Sequence, residues 1–256
     1  MDNLKGSFLI LKNTAVLTYL LKGVAFTLFI SVLAVVIGIL FGSVLALLRN
    51  YCNSPKTRIF KWLATVYIEI FRNTPLLLWI FICLVFCPCP GLFDRKMMGL
   101  TSVETKLLFK AAVALILFAS SVIAEIVRGG LNSVAHGQFE AGHAQGFNTV
   151  QIMIYIVLPQ AYKSIVPTLL SQVITTIKDS SYLANVATIE LMARTKKLLS
   201  SANTYNGTGT VNVTDVFVLF GSACVIYFVI NFTLSCIVRR MQRKKPKVQT
   251  QKAVAA

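Results

Sequence analysis

The sequence predicts an all-α integral membrane protein with a core of five transmembrane helices. Three observations support this class: an apolar composition, long runs without charge, and the lack of an alternating pattern that would indicate β-strands. Hydrophobic residues form 56% of the 256-residue chain and charged residues only 13%. This composition excludes an average soluble domain and a disordered chain. The net charge of +16 is best explained by membrane lipid headgroups, because so apolar a chain favours a bilayer over nucleic acid as its partner.

Each span is predicted from an uncharged run, judged against the about 20 residues that cross a bilayer core. The first run is too long and too far inside the chain to be a cleaved signal peptide. The third and fourth runs are shorter and continue past charged residues. In order, the five runs are 23–48, 73–93, 111–124, 165–177 and 216–238. We therefore expect one membrane domain over residues 1–256, with the five-helix core at 18–242.

The charge distribution predicts which side of the membrane each end of the chain occupies. Residues 239–252 carry seven basic side chains and no acidic one, and the tail 243–256 continues this segment. By the positive-inside tendency the C-terminus is cytoplasmic, and five crossings then leave the N-terminus outside. Basic residues on the other connections separate poorly between the two sides, so this orientation depends on the tail.

The sequence offers no catalytic or metal-binding set. Cys87 and Cys89 form a Cys-x-Cys pair without the further ligands of a tetrahedral site. His136 and His143 lie in one polar stretch, and no Gly-rich phosphate loop is present. We therefore expect a chain that is not an enzyme, with no metal, no cofactor of its own and no nucleic-acid partner.

Charged residues inside the apolar segments are candidate functional groups. Glu69 and Arg72 stand three residues apart on one helical face and are predicted to pair, and so are Glu125 and Arg128 at the inner end of the third helix. Thr74-Pro75 removes a backbone hydrogen bond, which a membrane segment tolerates only against protein or a wet cavity. Two interpretations remain open for this region: a structural ion pair beside a proline kink, and a wall of a polar pathway.

The polar excursion at 128–163 contains a spaced motif: Glu140-Ala141-Gly142, then Gly146, then Ile156-Val157-Leu158-Pro159. It resembles the cytoplasmic loop signature of ABC importer permeases, which reads Glu-Ala-Ala, three residues, Gly, nine residues, Ile-x-Leu-Pro. Every spacing is kept, and only Gly142 departs from the pattern. Glycine at this position weakens a helix by about 0.5–1 kcal/mol relative to alanine.

Local signals predict the shape of this excursion. Residues 138–145 form a short helix with small side chains, Gly146 ends it in a left-handed cap, and Asn148 or Thr149 caps a second helix that runs toward Pro159. Two helices joined by so tight a turn make a rigid projection from the membrane. The simpler alternative is an ordinary connecting loop.

Four further segments narrow the resemblance to permeases of polar amino acid uptake systems: 71–75, 124–130, 137–140 and 178–181. The similarity covers the first to the fifth helix. It implies a type I ABC importer permease with a cytoplasmic coupling helix, in the cytoplasmic (inner) membrane of a bacterium. It also implies a second permease chain, identical or homologous, two ATPase subunits that bind ATP and Mg, and an extracytoplasmic amino-acid-binding protein.

The resemblance also assigns candidate sites. The residues implied to contact the ATPase are Glu140, Ala141, Gly142, Gly146, Leu158 and Pro159. The residues implied to line the pathway are Arg72, Thr74, Pro75, Ser120, Ser171 and Gln172. Relatives often carry Asn-Glu where Ser171-Gln172 stands here, and this neutral pair disfavours cationic cargo. The segment 175–184 looks closest to glutamine or glutamate systems. For Gln172, a hydrogen bond between helices of about 0.6 kcal/mol is an equally open alternative.

A secondary amino acid transporter or a channel would also contain several spans and buried charges. Such a protein is expected to show repeated halves, or discontinuous helices in corresponding positions. The sequence reveals neither feature. A gene neighbourhood with an ATPase and a secreted binding protein would distinguish the importer from both alternatives.

Overall fold

The computed structural model describes residues 2–96, 99–186, 188–207 and 209–243, and its regular elements over these ranges are helices. The predicted basic tail, 243–256, lies outside the described residues except for position 243. The α-helices are α1 (Asp2–Lys12), α2 (Thr14–Tyr51), α3 (Arg58–Arg72), α4 (Leu76–Phe86), α5 (Ser102–Asn132), α6 (Gly137–Ala144), α7 (Thr149–Ile152), α8 (Leu158–Asp179), α9 (Leu191–Ser200) and α10 (Val213–Arg243).

Short helical turns complete the chain between these elements. A π-helical turn, Met153–Val157, joins α7 to α8. 3-10 turns follow α4 at Gly91–Asp94, α8 at Ser180–Val186 and α9 at Ala202–Thr204.

Four continuous helical segments of the described chain are long and apolar enough to cross a membrane. They are α2, α5, the segment Thr149–Val186 that contains α7 and α8, and α10 up to Gln242. Helices α3 and α4 meet the same criteria together, but they are bent by 111° at a short break. The all-helical prediction is confirmed, and the bundle has five spans when this bent pair counts as one.

The bent span breaks where Thr74-Pro75 stands in the sequence. Pro75 has no N–H, so the helical ladder stops, and α4 restarts at the next residue. The Thr74 hydroxyl donates to the Ile70 carbonyl at 2.6 Å and accepts from the Trp79 indole N–H at 2.7 Å. These two bonds link the last turn of α3 to the first turns of α4. The predicted proline kink is therefore a sharp corner at which the Thr74 hydroxyl both donates and accepts within the chain.

Helix α5 is the centre of the bundle and packs closely against α2. A Cβ added to Gly42 would lie 2.7 Å from the Ser120 carbonyl oxygen and 3.0 Å from the Ala124 nitrogen. The two backbones therefore approach at a distance that only glycine allows. Small residues at such a crossing are the usual means of packing helices in lipid, where burial from water supplies no driving force between helices.

The two ends of the bundle differ in construction. Helix α2 ends at Tyr51, beside the groove next to α6, and we call this end the α6 end. At the opposite end, which we call the α9 end, α1 and α9 pack across the first turns of α2 and α10. Ser7 of α1 donates to Asp215 of α10 at 2.6 Å, and Ile10, Leu20, Leu191 and Leu219 share one buried apolar cluster.

Candidate coupling surface and membrane pathway

Helix α6 is a short helix whose C-terminal end is closed by local hydrogen bonds. Gly146 follows it with a φ of +83°, in the left-handed region. The Phe147 N–H donates to the Gly142 carbonyl at 3.1 Å, and the Gly146 N–H donates to the His143 carbonyl at 2.9 Å. These two bonds form a Schellman cap, which favours a residue without Cβ at position 146. The structure thus contains the left-handed cap that the sequence predicts.

The second helix of the projection has its N-cap two residues after Gly146, at Asn148. Asn148 Oδ1 accepts from the Gln151 N–H at 2.9 Å, and Gln151 Oε1 accepts from the Asn148 N–H at 2.9 Å. This reciprocal capping box fixes the start of α7. Of the two residues that the sequence left open as caps, the structure selects Asn148. The predicted helix-turn-helix is present, one residue earlier in α6 than expected.

Gly142, the residue that departs from the loop signature, lies against α7. A Cβ at this position would be 2.7 Å from Cγ1 and 2.9 Å from Cδ1 of Ile152. Ile152 is fully buried, so its side chain has little room to move aside. The departure therefore has a local cause: in this chain α6 approaches α7 more closely than alanine would allow without a shift.

The junction of α7 and α8 carries Leu158 and Pro159. The Leu158 N–H donates to the Met153 carbonyl, five residues back, which widens the helix by one residue at this turn. Pro159 has no N–H to donate and its ring needs space on the preceding turn, so a wide turn accommodates it. The two residues of the signature thus mark the point where the projection continues directly into α8.

The outward surface of the projection is exposed and partly apolar. Glu140 and Ala141 are exposed on α6, and a groove of about 770 Å³ beside them is bordered by Tyr51 and His136. The His136 Nδ1 lies 3.2 Å from the Glu140 carboxylate. Exposed apolar side chains continue along the next turns at Val150, Ile154 and Tyr155. A short helix flanked by exposed apolar side chains is suited to insertion into a groove of another subunit.

Five charged residues from three helices form an ion-pair cluster near the α6 end: Arg49, Glu69, Arg72, Glu125 and Arg128. The Glu125 carboxylate is its centre, 2.7 Å from Arg49, 3.7 Å from Arg72 and 2.8 Å from Arg128. Arg49 also lies 2.9 Å from Glu69. The Glu125 side chain is only 15% exposed, so the centre of the cluster that ties α2, α3 and α5 together is shielded from bulk water.

The predicted pairing of Glu69 with Arg72 is wrong. Glu69 pairs with Arg49 of α2, and Arg72 with Glu125 of α5. Spacing within α3 shows which side chains share a face, but the neighbouring helices present closer partners. The Glu125–Arg128 pair is present, joined by two hydrogen bonds from Arg128 Nε and one from its Nη2. Arg49 was missed as a partner, although it directly ends the first charge-free run.

The residues predicted to line a pathway are not gathered at one point. The Ser120 hydroxyl is fully buried and shares a hydrogen bond of 2.8 Å with the Tyr67 hydroxyl, so in this conformation it faces protein. Ser171 is exposed and donates to the Pro167 carbonyl at 3.1 Å, while Gln172 is buried. Among the described residues, no hydrogen bond joins Thr74, Ser120 and Gln172 to one another.

At the α9 end, sequence analysis missed a buried carboxylate. Glu190 caps α9, since its Oε2 accepts from the Met192 N–H at 2.7 Å and its Oε1 from the Ala193 N–H at 2.6 Å. The Tyr227 hydroxyl donates to Glu190 at 3.1 Å. Burial raises the pKa of the Glu190 carboxyl, and these hydrogen bonds offset only part of that rise. The signal in the sequence is an acidic residue directly before an amphipathic helix.

Comparison with known proteins gives consistent matches. Residues 38–246 match the family described as binding-protein-dependent transport system inner membrane component. The glutamate/aspartate import permease protein GltK of Escherichia coli O6:H1 is 34% identical over 235 residues, covering 89% of this chain and 94% of that protein. The probable glutamine ABC transporter permease protein GlnP of Bacillus subtilis is 31% identical over 226 residues, covering 88% and 93%.

The fold also matches a solved structure. The crystal structure of an amino acid ABC transporter with histidines superposes with a TM-score of 0.70 at 26% identity, covering 92% of this chain and 98% of that chain. The family match spans four of the five membrane spans and the last third of the first, and it includes the whole projection formed by α6 and α7. This chain therefore belongs to the family of binding-protein-dependent transport system inner membrane components.

Proposed function

We propose that this chain is the membrane-spanning subunit of an ATP-driven importer of polar amino acids, and that it forms an alternating-access pathway. The observation that carries this proposal is the projection at the α6 end. It combines the full spacing of the loop signature, a Schellman cap at Gly146 and an exposed helix that ends the bundle. A transport subunit of this kind is not itself an enzyme.

Coupling requires that a movement of a partner reaches the membrane helices. Helix α6 is held to α7 by the contact of Gly142 with Ile152, and α7 continues through the π-helical turn into α8. Helix α8 carries Ser171 and Gln172. A displacement of α6 is therefore expected to move α7 and α8 with it as one rigid body. Two of the proposed pathway residues lie on α8.

The partners follow from this assignment. Two ATPase subunits bind ATP and Mg and receive α6, an extracytoplasmic binding protein delivers the amino acid, and a second permease chain completes the pathway. The α6 end is cytoplasmic, which leaves the N-terminus outside. In support, the 31-residue α10 begins at the α9 end and is about 46 Å long, so the basic residues Arg239 and Arg240 lie at the α6 end.

The cargo is glutamine or glutamate, with asparagine or aspartate next. Ser171 and Gln172 offer hydroxyl and amide groups and no fixed negative charge, which suits an amide or a carboxylate better than a cationic side chain. The names of GltK and GlnP agree with this cargo class. The solved neighbour that was crystallised with histidines makes a basic amino acid the competing outcome.

The secondary-transporter alternative has one feature in its favour. The structure contains a discontinuous span, α3 and α4, broken where sequence analysis predicted a proline kink. An inverted-repeat transporter needs such breaks at corresponding positions of two halves. Over the described residues, α3 and α4 are the one bent pair of this kind, so the importer is favoured.

The test is ATP hydrolysis by the complete complex, reconstituted with its binding protein and supplied with single amino acids. We expect glutamine or glutamate to stimulate hydrolysis, and arginine and lysine to leave it at the basal rate. Stimulation by arginine alone would contradict the cargo assignment. Uptake that proceeds without ATP hydrolysis would contradict the importer.

A further inference from the structure

The α9 end contains a recess of about 720 Å³ whose charged side chains are cationic. Its lining includes Lys22 and Arg194, together with Thr14, Thr18 and Tyr19. Over the described part of the chain, no aspartate or glutamate borders it. The first turn of α2 also borders the recess, so the N-terminal end of that helix, which carries a partial positive charge, faces the same space. An anionic group would therefore be stabilised in this recess.

Arg194 is a buried guanidinium that no carboxylate contacts directly, and Glu104 of α5 interacts with it only at longer range. It is 8% exposed, and it lies over the Tyr19 ring, 4.3 Å from the centroid. Its Nε donates to the Ile189 carbonyl at 2.8 Å and its Nη1 to the Tyr19 carbonyl at 3.3 Å. Among the described residues, no carboxylate lies within 4 Å of it and its Nη2 makes no hydrogen bond. Such a charge is costly to bury, and a carboxylate from outside would offset that cost.

The position of Arg194 is fixed by backbone packing. A Cβ at Gly23 would lie 2.8 Å from Arg194 Cδ and 2.9 Å from the Leu191 Cα, so α9 rests directly on α2. The Leu191 N–H also donates to the Thr27 hydroxyl at 3.1 Å. The guanidinium is therefore held in place before any ligand arrives, which lowers the entropic cost of binding.

Lys22 supplies the second charge at the mouth of the recess. Its side chain is exposed, and within the described chain its ammonium has no ion-pair or hydrogen-bond partner. One cation is thus fixed inside the recess and one is free at its rim. This arrangement suits an anion that enters from solution, first attracted by Lys22 and then held by Arg194.

We propose that the recess is a docking site for an acidic side chain of the extracytoplasmic binding protein. A free amino acid would bring an ammonium as well as a carboxylate, and the lining offers no acidic side chain to meet it. An aspartate or glutamate side chain is anionic only, which matches this lining. This inference rests on the proposed function, because that function supplies the binding protein and faces the α9 end outward.

The first measurement is ATP hydrolysis by the reconstituted complex as a function of the concentration of loaded binding protein. Lys22→Glu is expected to raise the half-maximal concentration about tenfold at low salt, and less at high salt, because charge reversal at a rim slows association. Lys96→Glu is the matched control, since Lys96 is exposed in the same connection as Gly99 but does not line the recess. It should change the half-maximal concentration by less than about twofold.

The second measurement identifies the anion. A zero-length carbodiimide reagent joins an amine to a carboxylate that touches it, so Lys22 should be cross-linked to an aspartate or glutamate of the binding protein. Lys22→Arg keeps the charge but cannot form this amide. It should therefore lose the cross-link and keep the half-maximal concentration of the unchanged chain.

The possible results distinguish a failure of the docking site from a failure of the proposed function. An unchanged half-maximal concentration for Lys22→Glu, or a cross-link to this chain alone, would overturn the docking site. So would an effect of Lys22→Glu that needs anionic lipid and no binding protein, since a headgroup would then be the occupant. If the binding protein does not stimulate the unchanged complex at all, the proposed function fails, and the docking site with it.

Discussion

The projection formed by α6 and α7 and the α9 end of the bundle are held together by different kinds of contact. At the α6 end, the projection is closed by contacts among residues close in the sequence, such as Gly146 with His143 and Asn148 with Gln151. At the α9 end, the contacts join residues that are far apart, such as Ser7 with Asp215, 208 positions away. The projection proposed to contact the ATPase is thus locally encoded, while the end proposed to dock the binding protein depends on the assembly of the whole bundle.

The largest expected effect comes from breaking the local cap. In Gly146→Pro, the proline ring fixes φ near −65° where the chain has +83°, and it removes the N–H that bonds to His143. We expect the bundle to insert normally and binding-protein-stimulated ATP hydrolysis to be lost. Gly207→Pro is the matched control, because Gly207 also has a positive φ of 71° but lies at the α9 end. Equal loss of hydrolysis in both variants would show that the effect is not specific to α6.

The second-largest expected effect is a loss of stability in the ion-pair cluster, which is held by contacts between different helices. Glu125→Gln removes the carboxylate shared by three arginines in a site that is 15% exposed, and should destabilise the bundle by about 3 kcal/mol. Glu69→Gln removes one ion pair of a side chain that is 47% exposed, and should cost below about 1 kcal/mol. Thermal unfolding in detergent compares the two. Similar losses would mean that Glu125 is not the centre of the cluster.

The contrast between local contacts and contacts of residues far apart also explains which features could be predicted from sequence. The helical class, the cap at Gly146 and the start of α7 follow from composition and local chemistry, and they were predicted. The partners of Glu69 and Arg72 were not, because helical spacing contains no information about α2 or α5. The bond of Ser120 to Tyr67 of α3 could not be predicted for the same reason, because the polarity of Ser120 is visible in the sequence but its partner is a product of packing.

A smaller effect tests the close approach of α6 to α7. Gly142→Ala restores the residue of the loop signature, but its Cβ would lie 2.7 Å from Ile152. Overpacking of about 1–3 kcal/mol should outweigh the about 0.5–1 kcal/mol that alanine gains in helix propensity, so the projection should be destabilised. The double variant Gly142→Ala, Ile152→Ala should recover part of this loss, relative to the sum of the single changes. Thermal unfolding and stimulated hydrolysis of the four proteins form the cycle. Additive effects would show that the two residues do not restrict each other.

The smallest effect lies at the α9 end and depends on pH. Burial raises the pKa of Glu190 in the folded state, so the folded protein holds this proton more tightly than the unfolded chain does. The resulting stability is fully present below the ordinary carboxyl range, and it is lost as pH rises through the raised value. Glu190→Gln cannot ionise and should flatten the dependence of unfolding temperature on pH in that window. Gln can still accept an N–H bond at the start of α9, so the variant should fold, and an unaltered pH profile would mean that another group causes the decline.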